Sequence, residues 1–444
     1  MTYPNLDYDV LIAGGGPAGA TAGLVLAREG RKVLLLERTR FPRFHIGESF
    51  LPRNMALIKE LGLEPALRIV PQVEKRGAEF ILGHGLDEGS LYWFSNTLTR
   101  GETVSFNIER APFDAMLLEE ARKAGVEVRE ESSVKKILHL EDGRVEALTD
   151  AGQVSARYLV DASGQSTLLG KHLGIRRVLP HRRKVAYFGH FENVARREGP
   201  AGGFIVIVLS EEGWFWLIPL DETRTSVGVV MHADQAKKVG LPPEQMLPWA
   251  IERCPEVRKR MSAAVYPASR EGYHVLADFS YRCAPYAGPG YFLVGDAAVF
   301  VDPIFSTGVC MGMMSAVEAA RGISALLERT RSPKQVRRRY IRFVHGSSSA
   351  FFGLIDRYYD PSFRELLLNG EGPLLVHHAV LGILAGYVFP RPSFALRWRL
   401  KLMDLLAFVN RFLPFAPRRQ RFSLFAAEPA EGPPAEASPS TSAG

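Results

Sequence analysis

Two apolar runs that each end in glycine, and a stretch of alternating residues between them, predict a mixed α/β chain. The first run, Asp9–Ala13, leads into Gly14-Gly15-Gly16-Pro17-Ala18-Gly19, and the second, Tyr291–Val294, ends in Gly295-Asp296. From about residue 184 to 232 short strands alternate with turns at Glu211-Glu212-Gly213 and Asp221-Glu222, the signature of an antiparallel sheet. With 444 residues, at ~150 per domain, two or three domains are expected.

The elements follow in chain order. After the glycine turn, Ala20 to Glu29 is helix-prone and Gly30 ends it. Lys32 to Glu37 is rich in leucine and reads as a strand buried on both faces. Ala111-Pro112 opens a helix that Gly125 closes, and short strands continue to Asp161. Beyond Gly295, a helix rich in Met and Ala spans Gly308 to Glu328, and another spans Lys334 to Phe352. Residues 395–413 carry Trp398, Leu402, Leu405, Val409 and Phe412 at helical spacing. The last 19 residues are Pro, Ala, Ser, Thr, Glu and Gly, which cannot build a core and are expected to be disordered.

The composition, 46% hydrophobic and 23% charged, excludes a disordered or fibrous chain. Three scattered cysteines, Cys254, Cys283 and Cys310, form no disulfide framework, so a reducing cytoplasm is expected. No apolar run of ~20 residues is evident, and the N-terminus lacks the pattern of a signal peptide. The net charge of +7 is concentrated in 391–421, where Arg391, Arg397, Arg399, Lys401, Arg411, Arg418, Arg419 and Arg421 oppose only Asp404. No recognition helix or aromatic-interleaved basic strand accompanies it, so no nucleic-acid partner is expected. No cluster with metal-ligand spacing is evident either.

Strand, GxGxxG, helix, and Glu37 at the end of the next strand make a full dinucleotide fingerprint. Gly14 permits the turn, Gly16 lets the backbone approach a pyrophosphate beside Pro17 and Ala18, and Gly19 packs helix on strand. Glu37 suits an adenosine ribose. NAD and FAD share this fingerprint. Gly295-Asp296-Ala297-Ala298 and Asp161-Ala162-Ser163-Gly164 follow two further strands, and Asp296 suits a ribityl hydroxyl. This three-part arrangement resembles the FAD-dependent oxidoreductases of the hydroxylase superfamily. That resemblance implies FAD as cofactor, with Arg43, Glu48, Arg110, Asp161 and Gly308 as further contacts. It also implies a Rossmann-like FAD-binding domain in three pieces (5–80, 105–180, 280–345) and an inserted antiparallel-sheet substrate domain (81–104, 181–279). A helical C-terminal region (346–425) and a disordered tail (426–444) complete the division.

Three motifs narrow the class. Gly213-Trp214-Phe215-Trp216-Leu217-Ile218-Pro219 places both tryptophans on one face of a strand. Asp302-Pro303-Ile304-Phe305-Ser306-Thr307-Gly308 opens a helix whose first N–H groups suit an anion. Lys75 stands in Lys75-Arg76-Gly77-Ala78-Glu79-Phe80. Together they resemble the flavin-dependent halogenases over about residues 8–390, and Arg357–Glu365 looks typical of that family's C-terminal part. The resemblance implies that reduced FAD, O2 and chloride or bromide give a hypohalous acid. The halide would be held at Ser306, Thr307 and Gly308, and Trp214 and Trp216 would screen the substrate. Lys75 would deliver the halogen to an electron-rich ring. Tryptophan halogenases carry Glu before Ser-Thr-Gly, where this chain has Phe305, which looks like the phenol and pyrrole halogenases, including those acting on carrier-tethered substrates.

Two other classes stay open at this stage. One is a non-halogenating FAD enzyme: a monooxygenase, a dehydrogenase or a geranylgeranyl-reductase-like protein. The other is a non-catalytic FAD-binding partner. With one dinucleotide fingerprint, a separate NAD(P)H flavin reductase is the expected source of reductant. The basic segment 395–421 is expected either to cover the catalytic domain or to dock an acyl or peptidyl carrier protein or a membrane surface, which would make the protein peripheral.

Overall fold

The computed structural model describes residues 6–86, 89–179, 183–267, 272–277, 280–300, 302–369, 373–413, 416 and 418–426. The expected disordered tail lies outside the described residues from 427 onward.

Four parallel pairings build the nucleotide-binding sheet. Tyr8–Ala13 lies between Gly152–Asp161 and Val33–Leu36; Tyr291–Leu293 flanks the former and Glu127–Arg129 the latter. Val33–Leu36 is buried throughout, as a central parallel strand requires. The register pairs Ala13 with Asp161 and Asp161 with Leu293, so three strands end level. Gly14, Ala162 and Val294 therefore leave the sheet side by side, at the carboxyl edge where α/β sheets bind ligands. Gly14 adopts φ +109°, and a Cβ there would lie 2.3 Å from the Ala162 carbonyl oxygen. A Cβ on Gly19 would lie 1.8 Å from the Gly14 carbonyl oxygen, so only glycine lets the helix Pro17–Arg28 seat against this turn.

The second sheet has seven strands in the order Tyr273–Ala277, Lys184–Glu192, Arg224–His232, Gly213–Pro219, Ile205–Leu209, Gly77–Leu82, Ser90–Trp93. It departs from the expected antiparallel sheet at one place, where Ile205–Leu209 pairs in parallel with Gly77–Leu82. That strand begins at Gly77, four residues before the expected border at 81, because Gly77 already pairs with Trp93. Just before it, Gln72–Lys75 pairs with Ser105–Ile108 in a separate two-stranded ribbon.

The helix Gly308–Leu327 corrects the expectation that no apolar run reaches membrane-spanning length. It has 20 residues and is apolar enough to cross a membrane, yet most of it is buried inside the protein, packed against Pro17–Arg28 and Pro333–Tyr358. The next helix, Pro333–Tyr358, runs past Phe352 and through the expected border at 346. Its entry is fixed by a capping box of Ser332 and Gln335, and Gly353 does not break it because Phe351, Phe352, Leu354 and Ile355 are all buried.

The last helix, Phe394–Phe412, corrects the expected apolar stripe. Its buried residues are Leu396, Leu400, Met403, Ala407 and Asn410; Leu405 and Phe412 are exposed, and Trp398, Leu402 and Val409 are half-buried. Both stripes have helical spacing. Packing selects the first because Gly382 of the neighbouring helix Val376–Leu384 leaves room for the Leu396 side chain.

Candidate active site

One large cavity, about 1070 Å³, runs from the carboxyl edge of the parallel sheet to the face of the second sheet that carries Phe188, Trp214 and Trp216. At one end lie Gly14, Gly16, Pro17, Ala18, Glu37 and Arg43. The Glu37 carboxylate accepts the Gly15 N–H at 2.7 Å, the Thr39 N–H at 2.9 Å and the Thr39 hydroxyl at 2.7 Å, which orients it along the cavity wall. Above Gly16 the nearest atom to a built Cβ is Arg43 Nη2 at 3.5 Å, so the turn offers bare backbone beside a guanidinium. That pairing suits a pyrophosphate.

Midway, Glu48 joins His190 at 2.7 Å through one carboxylate oxygen, while the other, Oε2, is buried with no partner. Burial opposes charge on His190, but the Glu48 hydrogen bond and charge outweigh it and hold its pKa above the ordinary value. Arg110 grips Asp114 through two hydrogen bonds of 2.8 and 3.0 Å and donates to the Ile46 carbonyl at 2.9 Å, fixing the 46–49 turn. Asp296 lines the cavity beside Gly295 and Gly308, and burial pushes its carboxyl up to about 7 against the pull of Arg110. Burial and the Arg110 charge push His45 down to about 4. Two expected contacts do not reach the cavity. Asp161 is fully buried, its carboxylate taken by the N–H groups of Ser163 (3.0 Å) and Leu169 (2.7 Å), so it shapes the turn that Ala162, Ser163 and Gly164 present. Gly19 lies behind the Gly14 turn as a packing residue.

The cavity, the bare glycine turn and the orphaned Glu48 oxygen fit FAD. Glu37, Arg43 and the 14–18 turn would hold its adenosine diphosphate half, and Asp296 and Glu48 its ribityl and flavin half.

The far end of the cavity is aromatic. Trp214 and Trp216 both face it, with ring centroids 5.9 Å apart, and Phe188 stands 5.6 Å beyond Trp216. His274 and the exposed Phe44 continue the row, stacked at 4.2 Å. Gly228 on the adjacent strand makes room for Trp216, since a Cβ there would meet its ring at 2.3 Å. The Trp216 N–H donates to Ser226 Oγ at 3.1 Å. The Trp214 N–H lies by the Tyr359 hydroxyl without closing a hydrogen bond.

Ser306, Thr307 and Gly308 line the same region. Ser306 takes φ +55°, which turns the chain into the helix at Gly308; the N–H groups of Thr307 and Gly308 have no acceptor among the described residues. Phe305 points away, edge-on to Tyr358 with centroids 5.6 Å apart, so the residue before Ser306 does not face the cavity. The loop is braced from behind by residues that sequence reasoning missed. Asp302 accepts the Ile304 N–H at 3.1 Å and the Tyr359 hydroxyl at 2.9 Å, and it forms a buried ion pair with Lys184. Lys184 Nζ also sits 3.5 Å over the Tyr359 ring. Tyr359 belongs to the Arg357–Glu365 motif and Asp302 to the loop motif, so two of the three had a signal; Lys184, at a strand start, had none.

Lys75 does not line the cavity itself. Its Nζ donates to Ser49 Oγ at 2.7 Å and to the Phe50 carbonyl at 3.0 Å, and Ser49 lines the cavity. Lys75 is 1% exposed and has no carboxylate partner among the described residues, and burial pushes its pKa down to about 7. Phe94 covers it at 5.2 Å, and Ser105 Oγ and Asn107 Oδ1, on the paired strand, are buried without partners. A buried amine whose pKa burial lowers to about 7, one hydroxyl from a cofactor cavity, is equipped to act as a nucleophile or hydrogen-bond donor.

Comparison with known proteins agrees with this geometry. A family of FAD binding domains matches residues 7–338. The 1H-pyrrole-2-carbonyl-(peptidyl-carrier protein) brominase of Pseudoalteromonas luteoviolacea is 33% identical over 329 residues, 72% of this chain and 78% of the relative. The corresponding chlorinase of Pseudomonas fluorescens is 30% identical over 380 residues, 80% of this chain and 84% of the relative. Among solved structures, a flavoprotein/dehydrogenase from Cytophaga hutchinsonii superposes with a TM-score of 0.81 at 26% identity, covering 91% of this chain and 99% of that one. The flavin-dependent brominase Bmp2 superposes at 0.75 with 28% identity, covering 90% and 98%. The fold and site thus define an FAD-dependent oxidoreductase. Within that class, the chain belongs to the flavin-dependent halogenase family.

Proposed function

We propose that the protein brominates or chlorinates an electron-rich ring, a pyrrole or a phenol, presented on a carrier protein, with FADH2 supplied by a separate NAD(P)H flavin reductase. The observation that carries this reading is Lys75: a sealed amine without a counter-charge, reaching the cavity only through Ser49. Two relatives act on pyrrole carbonyl groups bound to peptidyl carrier proteins, which supports the substrate class.

Held by Glu37, Arg43, Glu48 and Asp296, reduced FAD would activate O2, which is the oxidant of the halide. The N–H groups of Thr307 and Gly308 hold the halide in the cavity. Trp214 and Trp216 wall off the ring substrate, so the halogen leaves the flavin end as hypohalous acid before it reaches the ring. The neutral amine of Lys75 hydrogen-bonds that acid, or takes its halogen as a haloamine with loss of water, and passes it to the ring. A protonated amine can do only the first. Ser49 orients the Nζ lone pair.

The test supplies the purified protein with FAD, an unrelated flavin reductase, NADH and bromide. The acceptors are pyrrole-2-carbonyl groups loaded on a carrier protein, and free phenols. Products carrying the bromine isotope pair are expected on the carrier, and none when the reductase is left out. NADH oxidation with no brominated product from any acceptor would sink this reading. Rapid reduction of the bound flavin by NADPH alone would remove the separate reductase from it.

A further inference from the structure

The helix Phe394–Phe412 has two apolar faces, and only one is buried. Leu396, Leu400, Met403 and Ala407 pack against the helices Pro361–Leu368 and Val376–Leu384. On the opposite side Phe394, Leu405, Phe408 and Phe412 are 74%, 56%, 57% and 67% exposed. Trp398 and Lys401 fill the gap between Phe394 and Leu405. The steps from one to the next alternate between four residues and three, which draws a single line along the helix about 27 Å long. Leu374 and Leu375, both exposed, widen the patch at its start, where Arg399 Nε donates to the Leu374 carbonyl at 2.9 Å.

Charge says what covers it. Asp404, the acid of this helix, is taken by Arg357, and Arg411 is taken by Asp360. Arg391, Arg397 and Lys401 are exposed and have no acidic partner among the described residues, so the patch carries uncompensated positive charge. Lys401 stands in the apolar line itself. Lysine is depleted from the cores of protein–protein interfaces, whereas a helix lying in a bilayer interface buries Phe, Trp and Leu and lets Lys and Arg snorkel to phosphates. The residues lining the cavity end at Gly312, so this face is not part of the substrate cavity.

We propose that the exposed stripe of Phe394–Phe412 docks the protein on an anionic lipid surface, with the helix lying in the plane of the headgroups. This is independent of the halogenation reading.

The test uses the full chain with FAD bound and sedimentation with vesicles of phosphatidylglycerol or of phosphatidylcholine. Three uncompensated cations predict about a hundredfold tighter binding to the anionic vesicles, lost at high salt. The triple variant Leu405→Ser, Phe408→Ser, Phe412→Ser and the double variant Arg397→Gln, Lys401→Gln are each expected to lose at least about tenfold in binding. Both should keep the flavin spectrum and melting temperature of the parent, because the replaced side chains are exposed. No binding to either vesicle, equal binding to both, or unchanged binding by both variants overturns the proposal. So does a concentration-dependent dimer that the triple variant abolishes, which would give the face to a second copy. Retention of a loaded carrier protein by the parent and not by the triple variant, without vesicle binding, would give it to the carrier instead.

Discussion

Lys75 and Lys184 are both nearly sealed from solvent, at 1% and 3% exposed, and begin from the same flexible amine. They differ in what receives the charge. Lys184 meets the carboxylate of Asp302 and the face of Tyr359, so its ammonium is matched and the pair ties the Asp302–Gly308 loop to the helical region behind it. Lys75 meets a hydroxyl, a carbonyl and the ring of Phe94 at 5.2 Å, none of which carries a formal charge. Burial with a counter-ion makes a structural pin; burial without one makes an amine that titrates near neutrality. One side chain thus serves two purposes, each behind a different part of the cavity wall: Lys75 behind Ser49, Lys184 behind the loop that carries Ser306 and Thr307.

The largest expected effect comes from removing the unmatched amine. Lys75→Met should lower halogenated product by about a thousandfold or more while the protein still oxidises reduced FAD with O2. It should also raise stability. Holding Lys75 near 7 instead of 10.5 costs roughly 4 kcal/mol at pH 7, and the two acceptors left unpaired return about 1–2 kcal/mol of that. The sign follows from linkage: the unfolded chain binds this proton up to about 10.5 and the folded one only to about 7, so the parent gains stability as pH rises between them. The Met variant should therefore outlast the parent most below pH 7, with the advantage gone above 10.5. Denaturant melts at pH 6 and pH 10 measure this; equal melting of the two proteins at pH 6 would mean that Lys75 is hydrated.

Removing the matched amine should do the reverse. Lys184→Met strands Asp302 in the interior, and the expected loss is about 3–5 kcal/mol, with halogenation failing because the loop loses its brace. Adding Asp302→Asn should recover a large part of the stability, since the stranded charge is gone. A Lys184→Met protein as stable as the parent would show that the pair contributes nothing.

A smaller effect separates transfer from flavin oxidation. If only the neutral amine takes the halogen, single-turnover halogenation should rise with pH and level off above about 7, the value to which burial brings Lys75. Flavin oxidation should not follow that limb. Product formation that is flat from pH 6 to 8 would remove the haloamine route and leave Lys75 as a hydrogen-bond donor only.

How far the sequence foretold this comparison depends on the kind of signal each residue carries. That Gly14, Glu37, Trp214, Trp216 and Asp296 would line one cavity was legible because strand periodicity and glycine spacing are local, and local pattern fixes which way they point. Asp161 carried the same pattern as Asp296 and was misread, because whether a carboxylate faces a ligand or its own turn depends on the N–H groups of Ser163 and Leu169. The partner of Lys75 was hidden, since Ser49 is 26 residues away and meets it only through tertiary folding. Lys184 and Asp302 are 118 residues apart and left no trace as a pair. The two apolar stripes of Phe394–Phe412 had equal claims by spacing, and a glycine on another helix, Gly382, decided between them.

Ser49 offers the finest test. Its hydroxyl accepts from Lys75 at 2.7 Å, and an ammonium donates more strongly than a neutral amine, so this bond favours the charged form. Ser49→Ala removes that preference and should lower the pKa of Lys75 further. With about 1 kcal/mol between the two donors, the rising limb of the halogenation profile should move to lower pH by roughly 0.7 unit. The same change frees Nζ to rotate about the remaining bond to the Phe50 carbonyl, so the plateau rate should fall while the limb shifts. Ser49→Thr keeps a hydroxyl and should hold the parental limb even if its methyl group slows turnover. A shift of equal size in both variants would trace it to cavity shape, and no shift in either would mean that Ser49 does not set the charge of Lys75. Only a shift confined to the alanine variant fits an amine tuned by its one uncharged neighbour on the cavity wall.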